Sequence, residues 1–295
     1  MKFGEQVLQT VEQELKKKIG TQLVIHSAEP LGGGCINHVC RLATNQGNFL
    51  LKWQLTDFED LFIREAECLT ALRERVEGQL VIPSVVAARE GGATPGFLVT
   101  EFLVRGQVRH QEEKLGAGLA HLHRYSDCLF GFDHRNFCGA TPQDNRRKTN
   151  WADFFRTNRL QTILGRIDHD RPLKGPRRAC FDRFLEKLPG LLPVESRPSL
   201  IHGDLWSGNY LYTTSGPALI DPASAWCDRE MELALMRLFG GFSSLSMEAY
   251  QNAFPLVQGW QERVKIYQLY HLLNHYYLFG GFYGEEAYAT IRGYL

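Results

Sequence analysis

The sequence predicts an α+β chain in two lobes: an antiparallel β-sheet lobe with one key helix over residues 1–103, then a mainly α-helical lobe over 104–295. Three observations carry that prediction. From the end of a first amphipathic helix up to about residue 103, short apolar runs alternate with turn residues at strand spacing, interrupted by a single inserted helical period. Beyond His110 the apolar spacing becomes that of helices, with only short strand signals between them. The length of 295 residues, 44% of them hydrophobic, is enough for two cores.

Along the chain, Phe3, Val7, Leu8, Val11 and Leu15 recur on one face of an amphipathic helix that also carries Glu5, Glu12, Glu14 and Lys16 to Lys18. Those charges make it a helix of the mature chain rather than a signal peptide, and Met1 is expected to be the mature start. Thr21 to Glu29 reads as a strand leading into Gly32-Gly33-Gly34. Extended segments at Val39 to Ala43 and Asn48 to Trp53 flank Asn45-Gln46-Gly47, a hairpin signal. Asp57 to Val76 aligns Phe58, Leu61, Phe62, Ala66, Leu69, Leu72 and Val76 on one helical face. Strands follow at Pro83 to Arg89 and Phe97 to Phe102, around a Gly- and Pro-rich turn, and the lobe boundary falls near Glu101 to Gly106. Helices are then predicted near Leu115 to Tyr125 and over Trp151 to Leu164, Arg177 to Leu188, Arg229 to Phe239 and Gln261 to Phe279. Short strands are expected at Ser199 to His202, Tyr210 to Tyr212 and Ala218 to Asp221.

Composition narrows the function. With 33 Lys+Arg against 33 Asp+Glu, the chain as a whole has no attraction for nucleic acid or an anionic membrane. No run approaches the ~18 consecutive apolar residues of a spanning helix, so no membrane span is expected, and without a signal peptide the chain is expected to be cytoplasmic or in an organelle stroma. Seven scattered cysteines, without a C-x-x-C pair or a histidine at ligand spacing, predict reduced thiols with neither a disulfide framework nor a zinc site.

The chemistry concentrates in Leu200-Ile201-His202-Gly203-Asp204-Leu205-Trp206-Ser207-Gly208-Asn209 and the following Leu219-Ile220-Asp221-Pro222. An Asp and an Asn five residues apart, then a second Asp after a short hairpin, supply what phosphoryl transfer requires. One carboxylate accepts the proton of the attacking hydroxyl; an amide oxygen and another carboxylate hold Mg²⁺ against nucleotide phosphates. The same residue types also suit ordinary turns. The preceding half adds independent parts. Gly32, Gly33 and Gly34 permit close backbone approach to phosphates. Lys52 lies within the apolar run Phe49 to Trp53 and needs a partner, which Glu65 on the next helix can provide. Each pair alone is compatible with a surface ion pair; their order along the chain points to ATP-dependent phosphotransfer.

These residues resemble the fructosamine (ketosamine) kinase family, relatives of aminoglycoside and choline phosphotransferases with the protein-kinase-like fold. The resemblance also rests on Phe130-Gly131-Phe132, Gly139 to Asn145, Asp221-Pro222-Ala223, Trp226 to Glu230, and Gln268 to Asn274 with Leu278 to Gly281. It implies ATP- and Mg²⁺-dependent phosphorylation of a sugar hydroxyl, typically the 3-hydroxyl, of a fructosamine or ribulosamine, which initiates deglycation. The substrate would be a small ketosamine or a glycated protein, and the enzyme a monomer or homodimer. Carried over by position, Asp204 is the base, Asn209 and Asp221 the metal ligands, Lys52 the phosphate anchor and Glu65 its partner. Glu101, Phe102 and Leu103 become the hinge that meets adenine. Trp206 is either a wall for the sugar or a core residue. Asn274 and His275 are candidates to reach the sugar-amine.

Gly203 stands where protein kinases carry the Arg of His-Arg-Asp, and Pro222 follows Asp221 in place of Phe-Gly. A constitutively assembled site for a small molecule is expected, with His202 structural. Ten Lys/Arg against four Asp between Asp144 and Arg178 form either a solvated face or a steering patch. The aromatic set Tyr267, Tyr270, Tyr276, Tyr277, Phe279, Phe282 and Tyr283 is expected to be helix core. Cys35, beside the glycines, is either a redox brake or a tolerated small residue. A kinase for an aminoglycoside, choline or a free sugar, and a nucleotide-binding pseudokinase, are the alternatives.

Overall fold

The computed structural model of the chain describes residues 2–32, 37–54, 60–173 and 175–295. The sequence candidates Gly33, Gly34, Cys35 and Phe58 lie outside the described residues. The chain forms two compact units, one of residues 1–111 with 211–221, the other of 112–210 with 222–295. The division thus falls after Gln111 rather than Leu103, and a late hairpin joins the first unit. Backbone pairing explains the second point: Val81 donates to Pro217 O at 2.9 Å, Leu219 to Val81 O at 3.0 Å, and Gly106 to Tyr212 O at 3.0 Å.

In the first unit, helix α1 (Lys2–Ile19) precedes strands β1 (Ile25–Pro30), β2 (His38–Thr44) and β3 (Gly47–Gln54). Helix α2 (Leu61–Arg73) then leads to β4 (Val85–Arg89) and β5 (Gly96–Glu101). The antiparallel sheet has the order β1-β2-β3-β5-β4. Its period-2 alternation decides the placement of the key lysine. Leu51 turns into the core that α1 supplies with Val7, Val11 and Leu15, where Leu42, Phe97 and Val99 also pack. Lys52, one residue on, turns to the opposite side and meets Glu65 of α2.

The second unit contains α3 (Gln111–Leu122), the short hairpin β6 (Asn136–Cys138) and β7 (Thr141–Gln143), and α4 (Trp151–Phe154). The predicted helix from Trp151 is continuous but changes pitch: Phe155–Gln161 is a π-helical stretch before α5 (Thr162–Asp170). The wider turn accompanies Arg159, which is buried, donates to Asp144 O at 2.7 Å and to Asn145 Oδ1 at 2.8 Å, and stacks over Phe154. Helix α6 (Arg177–Lys187) is followed by β8 (Ser199–Ile201), then by β9 (Tyr210–Thr213) and β10 (Gly216–Leu219), whose hairpin carries the late segment of the first unit. Strand β11 (Ala225–Cys227) pairs with β8, and α7 (Arg229–Leu238) begins at Asp228, whose side chain accepts from Glu230 N. Helices α8 (Ser244–Ala253) and α10 (Tyr283–Arg292) were not expected from the sequence; α9 (Trp260–Phe279) was. Tyr267 and Tyr270 are core, as expected, but Phe279 and Phe282 are exposed.

Gly116 of α3 marks a backbone contact with α8, since a Cβ there would lie 1.9 Å from Ser246 O. Gly116→Ala should therefore cost about 1–3 kcal/mol and lower the thermal midpoint by roughly 3–10 °C, measurable by circular dichroism.

The basic stretch after Asp144 is largely neutralised in place. Arg146 pairs with Asp144, Arg147 with Asp127 and Asp133, Lys148 with Asp153, and Arg178 with Asp168. Among the described residues the six cysteines are free, and no helix is long and apolar enough to cross a membrane.

Candidate active site

In the first unit a single ammonium bridges two carboxylates. Lys52, 5% exposed, lies 2.7 Å from Glu65 Oε1 and also contacts Asp221 Oδ1. Burial by itself would lower the lysine pKa, but the charges of Asp221 and Glu65 and their hydrogen bonds raise it, so Lys52 stays charged. Burial pushes the Glu65 carboxyl up, against the pull of Lys52. Asp221 sits at the end of the β9–β10 hairpin with a left-handed backbone, φ 58°, and its side chain is 42% exposed. Glu101 ends β5 with its carboxylate turned back to Ser84 N at 3.0 Å, and Phe102 and Leu103 leave the strand. Gly32 is exposed, with open space where a Cβ would stand.

In the second unit the segment His202 to Asn209 is a tight loop. Trp206 N donates to Asp204 O at 3.1 Å and Asn209 N to Trp206 O at 2.9 Å. The Asn209 side chain closes it: Nδ2 donates to Asp204 O at 2.8 Å and reaches Asp204 Oδ2 at 3.3 Å. That commitment leaves Asn209 Oδ1 as its donor toward a cation. Asn209 and Asp221 both offer oxygen, the donor type that suits Mg²⁺. Trp206 is 37% exposed, its ring lying over Gly208, which excludes the core alternative for this residue.

Gly203 answers the sequence comparison with protein kinases. Its φ is 86°, and a Cβ would stand 2.1 Å from Ala223 O, so an arginine has no room. The loop is held from beneath by Glu232 of α7, a residue absent from the sequence candidates. Its carboxylate, 1% exposed, accepts from His202 N at 3.1 Å, Gly203 N at 2.8 Å and His123 Nε2 at 2.8 Å. His123 Nδ1 in turn meets Tyr250 OH at 2.8 Å. Burial would raise the Glu232 pKa, but the His123 hydrogen bond, the nearby His123 and His202, and the Gly203 amide outweigh it and hold the group ionised. His202 Nδ1 accepts from Asp204 N at 3.3 Å, the structural placement expected for it. Only the position of Glu232 four residues into an acidic helix start was visible in sequence, and nothing there named its partner.

Residues far apart in sequence gather at Asp204. Cys138 Sγ, His271 Nδ1 and an Asp204 carboxylate oxygen all lie within 4.8 Å of one another. Ligand spacing along the sequence predicted no such group; the fold assembles it from β6, the loop after β8, and α9. His271 Nδ1 stands 3.9 Å from Asp204 Oδ1, yet burial pushes the imidazole down to about 3, so the pair is neutral histidine beside carboxylate and not an ion pair. Burial likewise drives the Cys138 thiol well up, with the Asp204 charge adding to it. Asn274 is buried and donates to Cys138 O at 3.3 Å and Sγ at 3.4 Å, adjoining this group. His275 is placed elsewhere, with its ring against Phe239, Phe279 and Tyr283 and Nδ1 bonded to His271 O at 2.9 Å. One turn of α9 separates the two histidines, and His271 is the one that faces Asp204.

Comparison with known proteins agrees on one kind of chemistry. Residues 7–295 match the family described as Fructosamine kinase. The chain is 31% identical to the Mus musculus protein named "Ketosamine-3-kinase", covering 96% of this chain and 99% of that one. It superimposes on the crystal structure of the Haemophilus somnus 129PT protein called "Putative fructosamine-3-kinase" with TM-score 0.86 and 25% identity, over 97% of this chain and 96% of that one. A crystal structure of the aminoglycoside phosphotransferase APH(4)-Ia superimposes with TM-score 0.63 at 14% identity, over 96% of this chain and 98% of that one. The two units therefore have the protein-kinase-like fold.

Proposed function

This chain belongs to the fructosamine kinase family, and from that premise we propose that it is a ketosamine kinase that transfers the terminal phosphoryl group of ATP to a sugar hydroxyl, the 3-hydroxyl, of a fructosamine or ribulosamine. The observation that carries the reading is the tie between Asn209 and Asp204, which holds a carboxylate and an amide side chain together on one loop, the pair of groups that phosphoryl transfer calls for. Asp204 takes the hydroxyl proton as the sugar oxygen bonds to phosphorus and the bridging oxygen leaves with ADP. Glu232 and Gly203 keep that carboxylate's loop fixed, so little reorganisation accompanies the step. Lys52, ordered by Glu65, neutralises phosphate charge, and Glu101 to Leu103 meet the adenine. Asn209 and Asp221 would be the ligands of Mg²⁺, which when bound would supply charge neutralisation for the phosphoryl oxygens. The enzyme works in the cytoplasm on free ketosamines or glycated protein, as a monomer or homodimer.

The test is ADP release with Mg-ATP across fructose-lysine, ribulose-lysine, free sugars, choline and an aminoglycoside. Turnover confined to the ketosamines is expected. Turnover confined to another class would move the substrate, and ATP binding without any turnover would favour a pseudokinase.

Trp206 forms a wall for the sugar in this reading. Trp206→Ala should raise the ketosamine KM about tenfold, the loss of one aromatic contact, with the ATP KM unchanged. Steady-state kinetics with each substrate varied in turn separates the two.

A further inference from the structure

We propose that Cys138 Sγ, His271 Nδ1 and a carboxylate oxygen of Asp204 form a binding site for a thiophilic divalent cation, Zn²⁺ above all, and that its occupation silences Asp204. Thiolate, imidazole and carboxylate are the donor types of zinc sites, whereas Mg²⁺ avoids sulfur, so the site discriminates between the two ions in one active centre. The three donor atoms lie within 4.8 Å of one another. Tetrahedral zinc with bonds of about 2.0–2.3 Å needs ligand separations of roughly 3.3–3.8 Å, a closing reachable by small side-chain movements.

A second, independent observation points into the same space. His271 is 1% exposed and its Nδ1 has no hydrogen-bond partner, although it lies 3.9 Å from Asp204 Oδ1. A buried ring nitrogen left unpaired loses stabilisation that a cation restores. The imidazole is neutral, and in the tautomer protonated at Nε2 it offers the Nδ1 lone pair to such an ion. Around these donors a supporting shell is in place: Asn274 Nδ2 donates to Cys138 Sγ at 3.4 Å, and the charge of Arg159 favours the thiolate. On binding, the S–H bond breaks, sulfur bonds to the metal and the proton passes to solvent. Three protein ligands leave a fourth position open to water. With one carboxylate oxygen on the metal, Asp204 no longer accepts the hydroxyl proton; this inhibitory half rests on the proposed role of Asp204, the binding half does not.

The binding test uses Co²⁺ as a spectroscopic substitute, with neither nucleotide nor sugar present. Wild-type protein should develop a thiolate-to-cobalt charge-transfer band that saturates at one equivalent and is displaced by Zn²⁺. Cys138→Ser should lose the band, His271→Asn should weaken Co²⁺ binding at least tenfold, and Cys128→Ser, at an exposed thiol, should keep both. Thermal melts confirm that each variant is folded. In the second arm, Zn²⁺ added to excess Mg²⁺ should inhibit the wild-type kinase, with reversal by chelation and restored Mg²⁺. Relative to its own zinc-free rate, Cys138→Ser should need at least tenfold more Zn²⁺. A band that survives in Cys138→Ser, or none in the wild type, would overturn the site. A band without inhibition would overturn the silencing and count against Asp204 as the base.

Discussion

Asp204→Asn is expected to lower kcat on a ketosamine by about 10²–10⁴-fold, the usual share of general-base catalysis in a positioned site. The carboxamide has nearly the same volume, and the backbone carbonyl that Asn209 Nδ2 engages at 2.8 Å is untouched. The loop should therefore keep its shape, with the thermal midpoint and ATP affinity close to wild type. What is lost is the group proposed to take the proton. Steady-state ADP release, isothermal titration with ATP and a melting curve read the three quantities separately. A variant retaining more than a tenth of the wild-type rate would remove Asp204 from the role of base.

Glu232→Ala should be the most destabilising single change in the second unit, by about 3–5 kcal/mol, because it strips the partner from groups that cannot reach water. The amides of His202 and Gly203 and the ring of His123 all end on that carboxylate. Glu232→Gln separates shape from charge, retaining an oxygen for one amide while losing the ionised acceptor. Its pH profile carries a sign. The folded-state pKa lies below the ordinary 4.5, so this residue's stabilisation is complete above about that value and disappears as the pH falls through the folded one. Urea unfolding of wild type should show an acid limb below roughly pH 4.5 that is shallower in Glu232→Gln. Parallel limbs in the two proteins would remove the charge argument.

The elements that carry local periodicity were legible in the sequence. The hairpin of β2 and β3 announced itself through Asn45-Gln46-Gly47, and α2 through its apolar face, so the pairing of Lys52 with Glu65 could be anticipated. The π-helical stretch could not be, because its apolar residues fit an α-helix and only the tertiary demand on Arg159 distinguishes the two. At the site, residues adjacent in the chain were found and residues adjacent only in space were missed. Asp204 and Asn209 stand five apart on one loop, whereas Cys138, Glu232 and His271 arrive from a hairpin and two helices. Nothing in the sequence singled out His271 on α9, where residues four apart share a face and only packing shows which ring lies against the carboxylate.

The first unit is discontinuous in the chain, since residues 211–221 complete what residues 1–111 begin. On the ribosome, about a hundred residues separate the two pieces. At ~5–20 residues per second, the sheet and its helices would wait roughly 5–20 s for the hairpin that bonds to Val81 and Gly106. During that interval Lys52 and Glu65 are without Asp221. The nascent first unit therefore passes through an incomplete state that ends only once residues 211–221 have been made, after residues 112–210 of the second unit.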